Sequence, residues 1–372
     1  MDARNLQDER PGEEKCRQHS GTALSLSGIC RQFGTMQALN HVSLDVEPGE
    51  IICLVGHSGC GKTSLLRIIA GIDAPDSGTL TMGGKTLVSN GIFVEPEKRN
   101  VGVVFQDYAL FPHLTVRENV RFGLSRMRRS EANARAGELL DLVGLGHMAD
   151  RYPHMLSGGE QQRVALIRAL APKPHVLLMD EPFSNLDRGL RARVRRETVS
   201  LLRVLGTTAI IVTHEAEEAL STGDRVVLMR SGQIVQSGSP RDLHDCPVNR
   251  YAADFFCDFN AIPAEVHGDT LVTPFGTIKK EAGFPSGSRV VVYLRPCDIA
   301  VLGADDGNLS LHGRIEARTY LGESEELVVK AGDMPLRLHV RGEAPIPSGL
   351  ADVSLCPHWE KALVFPIDAR ST

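Results

Sequence analysis

Gly56-His57-Ser58-Gly59-Cys60-Gly61-Lys62-Thr63 follows directly on the apolar run Ile51-Ile52-Cys53-Leu54-Val55 and leads into Ser64-Leu65-Leu66-Arg67-Ile68-Ile69-Ala70-Gly71. The run has the composition of a buried parallel strand, and the segment after the loop reads as a helix. Gly56, Gly59 and Gly61 allow a tight turn that converges backbone N–H groups on phosphate oxygens. Lys62 adds a cation, Thr63 a hydroxyl for Mg²⁺, and His57, Ser58, Cys60 and Ser64 complete the phosphate-binding segment. Strand, loop and helix in that order are the context this motif requires. The loop alone does not separate kinases, GTPases and motor or transport ATPases, because all of them cradle phosphates this way.

About 100 residues further on stands Leu156-Ser157-Gly158-Gly159-Glu160-Gln161-Gln162-Arg163. Residues Glu160 to Leu166 read as a helix whose positive end follows the glycine pair, a second tip suited to an anion. A plain glycine-containing cap is the alternative reading. A single nucleotide site has no obvious use for a second such tip, which suggests a composite site shared by two copies.

Other apolar runs end in polar residues of the right kind. Val176-Leu177-Leu178-Met179 delivers Asp180, Glu181 and Pro182. Adjacent residues on a strand point to opposite faces, so the two acids hold different jobs only if the strand ends there, as Pro182 suggests. Asp180 is expected to coordinate Mg²⁺, largely through water, and Glu181 to orient the attacking water. Thr208 to Thr213 similarly delivers His214 as a γ-phosphate contact, and Val101 to Phe105 delivers Gln106, placed to touch both metal and nucleophile. The bland alternatives are solvated acids at a strand end and a structural histidine.

In order along the chain these segments resemble the ATP-binding subunit of an ABC transporter, over about residues 24–258: Walker A at 56–63, Q-loop Gln106, signature Ser157 to Glu160, Walker B ending at Asp180 and Glu181, D-loop Ser184-Asn185-Leu186-Asp187, and H-loop His214. The resemblance implies an α/β P-loop ATPase core of RecA type with a helical subdomain at about 107–160. It further implies a head-to-tail homodimer over two ATP molecules, in which Ser157, Gly158, Gly159 and Glu160 act in trans. Phe33 matches the aromatic that stacks on adenine; without the family it reads as a core residue. His57 stands where proline or glutamate is frequent, and Asn185 where alanine is common.

After about Asn260 the texture changes to short alternating runs with glycine turns: 264–273, 288–294, 309–317, 327–331 and 336–340. This reads as a small all-β barrel. It is similar to the OB-like (TOBE) regulatory domain that follows the ATPase in importers of sugars, polyamines, ferric iron, sulfate or molybdate, and is placed at 259–372. Arg295-Pro296-Cys297-Asp298 resembles an arginine-proline-acid element found there, with Cys297 at the usual glutamate position.

The net charge of −5 gives no basic field for nucleic acid. Local arginine clusters, such as 126–129 and 191–196, read as solvated helix faces. The eight cysteines show no metal-site or disulfide-framework spacing, which suits a reducing cytoplasm. Residues 1–23 read as a loose polar tail with no secretory signal, and no stretch approaches the ~20 apolar residues that span a bilayer. The membrane path is therefore expected in another chain. The resemblance implies two permease subunits, an extracytoplasmic solute-binding protein that feeds them, and a peripheral place for this subunit on the cytoplasmic face of the inner membrane. Asp107 to Thr115 is a proline-containing loop with Tyr108, Leu110, Phe111 and Leu114. It is a candidate docking patch for the permease, internal packing of Phe111 and Leu114 being the alternative. The wording of 93–112, 183–187 and 273–276 most resembles ferric-iron importers, with polyamine, sulfate/molybdate and sugar importers behind. A non-transport ABC ATPase switch is the reading from a different class.

Overall fold

In the computed structural model, residues 21–280, 283–302, 311–341 and 351–367 are described. All but three residues of the expected tail lie outside that set, as do the first residues of the expected run at 309–317. The chain divides into two compact units, Met1–Leu243 and His244–Thr372.

The first unit is built on the phosphate-loop strand. Ile51–Val55 is buried at every position, as a strand covered on both faces must be. It lies at the centre of a six-stranded sheet in the order Gln233–Gly238, Arg225–Arg230, Ile51–Val55, Thr208–Thr213, Val176–Asp180, Val101–Val104. The last five strands pair in parallel, and only Gln233–Gly238 runs antiparallel. In register, Val55 faces Thr213, Val212 faces Asp180 and Met179 faces Val104. The carboxyl ends of four apolar runs therefore share one edge, where a parallel sheet opens its ligand crevice.

A five-stranded antiparallel sheet, in the order Met36–Val46, Leu24–Phe33, Ser77–Met82, Lys85–Ser89, Ile92–Phe93, shares a core with the first sheet and with the helix Lys62–Ala70. Arg99 closes the far end of that helix. It is 1 % exposed. Its Nη1 donates to the carbonyls of Ile68 (2.6 Å) and Ile69 (3.0 Å), and its Nε to Val94 (2.6 Å). A cation at a helix C-terminus satisfies carbonyls the helix cannot.

The helices expected between Gln106 and Ser157 are Val116–Phe122 and Arg129–Leu142, and the second tip opens the helix Gly158–Leu170. Thr115 and Glu118 form a capping box at Val116: Glu118 N–H donates to Thr115 Oγ1 (3.3 Å) and Thr115 N–H to Glu118 Oε2 (2.8 Å). Among the described residues no helix is long and apolar enough to cross a membrane.

The second unit carries the all-β, OB-like domain, in two five-stranded antiparallel sheets. One has the order Gly276–Lys279, Thr270–Thr273, Asn260–His267, Arg289–Leu294, Leu363–Pro366. The other has the order Ile299–Leu302, Asp352–Pro357, Leu311–Tyr320, Ser324–Ala331, Met334–Arg341. Residues of both sheets form one core, including Ile262, Val292, Leu327 and Leu355. The run expected over 264–273 is two strands, because Gly268 takes a φ of +59° and turns the chain back. By packing, the division falls at 243/244, upstream of the 258/259 read from the change in texture. The helix Arg250–Phe256 accounts for the difference: Ala253 packs with Val291, Tyr293 and Phe365, and Arg250 Nε donates to the Tyr293 hydroxyl (3.1 Å).

Candidate nucleotide site

Two glycines of the loop have no substitute. Gly56 adopts φ +151°, and a Cβ there would sit 2.4 Å from the Met229 carbonyl oxygen; at Gly61, φ +108°, it would sit 2.4 Å from the Ala38 carbonyl oxygen. Both the left-handed backbone and the close approach demand glycine. Lys62 is 6 % exposed, and its Nζ donates to the carbonyls of Gly56 (2.7 Å) and His57 (3.2 Å), with Cys60 Sγ at 3.8 Å. The ammonium thus lies within the curl of the loop.

Walker A and Walker B meet where the Thr63 side chain lies beside the Asp180 carboxylate. Burial pushes the Asp180 pKa up, the Glu181 charge adds to this, and Thr63, Lys62 and Arg67 oppose it. A half-buried carboxylate beside a second acid is the environment a divalent cation relieves. Thr63 and Asp180, with Gln106 from the neighbouring strand end, are oxygen donors of the kind Mg²⁺ takes while keeping several waters. The residues fit the ion.

Glu181 lies one residue past the strand and takes φ +46°, a left-handed conformation that costs a non-glycine residue about 1–3 kcal/mol. The surroundings hold it there. Glu181 N–H donates to the Val212 carbonyl (3.0 Å), its own carbonyl accepts from Ser184 Oγ (2.9 Å), and Oε1 lies 3.1 Å from His214 Nδ1. The strand end does separate the two acids, Asp180 toward Thr63 and Glu181 toward His214.

Behind His214 the Thr213 hydroxyl accepts from Glu215 N–H (3.1 Å) and lies beside Glu218. Burial pushes the Glu218 pKa up to about 7, with Glu215 adding to the effect.

The loops flanking these residues are tied down by side-chain bonds that the sequence reading did not foresee. Asn185 Nδ2 donates to the backbone carbonyl of Gln106 (2.8 Å), joining D-loop to Q-loop. Arg168 donates to the carbonyls of Ala109 (2.6 Å) and Tyr108 (2.9 Å), both left-handed residues. Asn119 accepts from Phe111 N–H and donates to Phe111, Leu114 and Thr115 carbonyls. Arg191 pairs with Glu215 and donates to the Leu186 carbonyl (3.1 Å). It is half-buried, so the expected solvated face of 191–196 is corrected at this position; Arg193 keeps it, at 68 % exposure. Asp187 caps the helix Arg188–Leu205, its Oδ1 accepting from Leu190 N–H (3.0 Å).

Ser157 and Glu160 bond to each other: Ser157 N–H and Oγ–H both donate to Glu160 Oε2 at 2.8 Å. That bonding holds the Glu160 carboxyl below its usual range. Gly158 and Ser157 are exposed, whereas Gly159 is buried where a Cβ would meet Leu190 and Val194 at 3.2 Å. The tip is capped from within and open outward. Phe33 is 42 % exposed at the end of its strand, with the Arg31 guanidinium 4.7 Å from its ring centroid, so it is a surface aromatic and not a core residue.

Residues 39–184 match the family model described as ABC transporter. A sulfate/thiosulfate import ATP-binding protein of Chromobacterium violaceum is 42 % identical over 336 residues, which cover 90 % of this chain and 88 % of the relative. An Fe(3+) ions import ATP-binding protein of Brucella melitensis is 42 % identical, covering 83 % and 88 %. A spermidine/putrescine import ATP-binding protein of Methylococcus capsulatus is 41 % identical, covering 94 % of both. Among solved structures, cbiO1 from Clostridium perfringens, part of the ABC transporter complex cbiONQ, aligns with a TM-score of 0.54 at 28 % identity, covering 59 % of this chain and 89 % of that one.

Proposed function

Because this chain belongs to the ABC transporter family, as an ATP-binding subunit of the import type and an ATPase coupled to transport, we propose that it acts as a homodimer that drives solute through two separate permease subunits from the cytoplasmic face of the membrane. The observation that carries the reading is the shared strand edge. It gathers Lys62, Thr63, Asp180, Glu181 and His214 through the Thr63–Asp180 and Glu181–His214 contacts, while the Ser157 tip turns an open face outward.

In this reading Gly56 to Ser64 hold the ATP phosphates, Phe33 stacks on adenine, and the partner copy's Ser157 tip completes the γ-phosphate shell. Thr63, Asp180 and Gln106 would hold Mg²⁺, which supplies charge neutralisation across the β- and γ-phosphates. Glu181, fixed by its backbone and by His214, orients water for in-line attack. Asp187 closes the D-loop against the twin. Closure of the dimer then pulls on the permease through the Q-loop segment, and hydrolysis resets it.

Phe111 is the anchor of that segment. Its ring is half-buried, 4.3 Å from the Phe122 ring, and Phe122 is 58 % exposed. An aromatic pair with one open face, on a loop held by Asn119, suits a rigid docking patch. Phe111→Asp is expected to lower solute uptake in vesicles at least ~10-fold, because a charge is forced into an apolar contact, with ATP binding unchanged. Full uptake by the variant would remove the patch from coupling.

Ferric iron is the proposed solute, supported by the sequence wording of 93–112 and 273–276 and by the Fe(3+)-importing relative. The second unit is proposed as the regulatory domain. Reconstitution with the co-purifying permease tests the solute: an iron-loaded binding protein should stimulate hydrolysis several-fold. Stimulation by a polyamine- or sulfate-loaded protein instead would overturn the iron assignment.

A further inference from the structure

Arg191 stands one turn into the helix Arg188–Leu205, directly after the D-loop, and its N–H donates to the Asp187 carbonyl (2.9 Å). Its guanidinium turns two ways. One terminal nitrogen, Nη2, reaches back to the D-loop carbonyls of Leu186 (3.1 Å) and Ser184 (3.4 Å). The other, Nη1, pairs with the carboxylate of Glu215, which lies 24 positions along the chain and next to His214. We propose that Arg191 is a positioning residue for the hydrolytic step, a planar fork that ties the D-loop to the H-loop so that Glu181, His214 and Asp187 are set as one unit.

The contacts close into a ring. Glu181 Oε1 lies 3.1 Å from His214 Nδ1, and the residue after His214 is the Glu215 that pairs with Arg191. Arg191 in turn meets the Ser184 carbonyl, and Ser184 Oγ donates back to the Glu181 carbonyl (2.9 Å). The His214 side chain is 47 % exposed, but the chain on either side of it is held. Thr213 ends its strand fully buried, its hydroxyl accepting from Glu215 N–H (3.1 Å), and the Glu215 carboxylate is held by Arg191. The Arg191 side chain is the member of the ring that bridges the two loops. A guanidinium presents its donors on a rigid fork, whereas lysine is a point charge on a flexible stem.

This role rests on the function proposed above, with Glu181 as the base and Asp187 facing the twin. Asp187 caps the same helix, its Oδ1 accepting from Leu190 N–H (3.0 Å). A shift of the D-loop against the twin therefore moves the Ser184 and Leu186 carbonyls and, through Arg191, the carboxylate beside His214. Closure of the two copies reaches the water-orienting groups by this route. Nucleotide capture is left alone, because among the described residues the bonds of Arg191 go to residues 184, 186, 187 and 215 and not to the phosphate loop. With both side chains partly open to solvent, the Arg191–Glu215 pair contributes little to folding stability, so what it fixes is geometry.

The test uses the full-length chain and reads ATP turnover and ATP affinity separately. Arg191→Gln should lower kcat at least ~10-fold, within what misplacing a catalytic group costs, while the Kd for ATP stays within about 2-fold of wild type and the melting temperature is nearly unchanged. Arg191→Lys, which keeps the charge facing Glu215 and loses the fork, should recover part of the loss. Glu215→Gln should also lower kcat, and combining it with Arg191→Gln should cost no more than Arg191→Gln alone, since residues acting as one unit are not additive. Arg193→Gln, at a side chain 68 % exposed and paired with Glu197, should leave kcat unchanged. The proposal is overturned by wild-type kcat in Arg191→Gln, by a loss confined to ATP affinity, or by a double variant whose loss is the product of the two single losses. If Arg191→Gln does not fold, wild-type kcat in both Arg191→Lys and Glu215→Gln overturns it equally. Failure of the underlying reading looks different: normal turnover in Glu181→Gln removes the base itself, whereas a slow Glu181→Gln beside a normal Arg191→Gln removes Arg191 alone.

Discussion

Glu181→Gln is expected to reduce ATP turnover at least ~10²-fold, the usual loss when a positioned base is removed, while ATP still binds. The substitution keeps the shape and the left-handed backbone, because Glu181 N–H to Val212 and Ser184 Oγ to the Glu181 carbonyl involve only main-chain atoms of residue 181. It removes the negative charge that faces His214 Nδ1 at 3.1 Å and that raises the neighbouring Asp180. An amide can still accept one hydrogen bond but takes no proton from water. The variant should therefore hold ATP between two copies, and light scattering should show an ATP-dependent dimer. Two results contradict this. Near-normal turnover would dismiss Glu181 as the base, and a strictly monomeric ATP-loaded variant would dismiss the composite site. His214→Ala should show a related but smaller defect, since it disturbs the carboxylate's orientation and leaves the base in place.

That Glu181 could be singled out from sequence follows from the sheet. Four apolar runs read as neighbouring parallel strands, and their carboxyl ends share one edge, so Gln106, Asp180 and His214 could be placed by counting to the end of each run. What could not be read was the means of holding them. Asn185 reaches Gln106 across 79 positions, and Arg168 reaches Ala109 across 59. Such pairs leave no periodicity in the chain, because only the folded sheet brings them together. The same holds for Glu181's backbone: a run ending in Asp-Glu-Pro announces a strand end, but not that the glutamate turns left-handed. The antiparallel sheet from Leu24 to Phe93 has no counterpart among the sequence expectations. Its strands carry bulges and register shifts that blur the period-2 signal.

Lys62→Ala is expected to weaken ATP binding by about 10- to 10²-fold, the range a lost charge-assisted hydrogen bond gives. The geometry allows a sharper form. Lys62 starts the helix Lys62–Ala70, so the orientation of its side chain is set by a helix whose far end Arg99 pins through Ile68 and Ile69. From there its Nζ can reach only the space inside the loop, bounded by the Gly56 and His57 carbonyls. A cation in that position meets the β- and γ-phosphates and not the base or ribose. The loss should therefore be large for ATP, smaller for ADP and near zero for AMP, as read by titration calorimetry on the same preparation. Folding should change little, because alanine removes the cost of a 94 % buried ammonium along with the two hydrogen bonds that offset it. If the affinity for ATP is unchanged, or falls equally for all three nucleotides, the ammonium does not hold the terminal phosphates. The loop would then be a structural turn, and the adjoining carboxylates would have no phosphate to act upon.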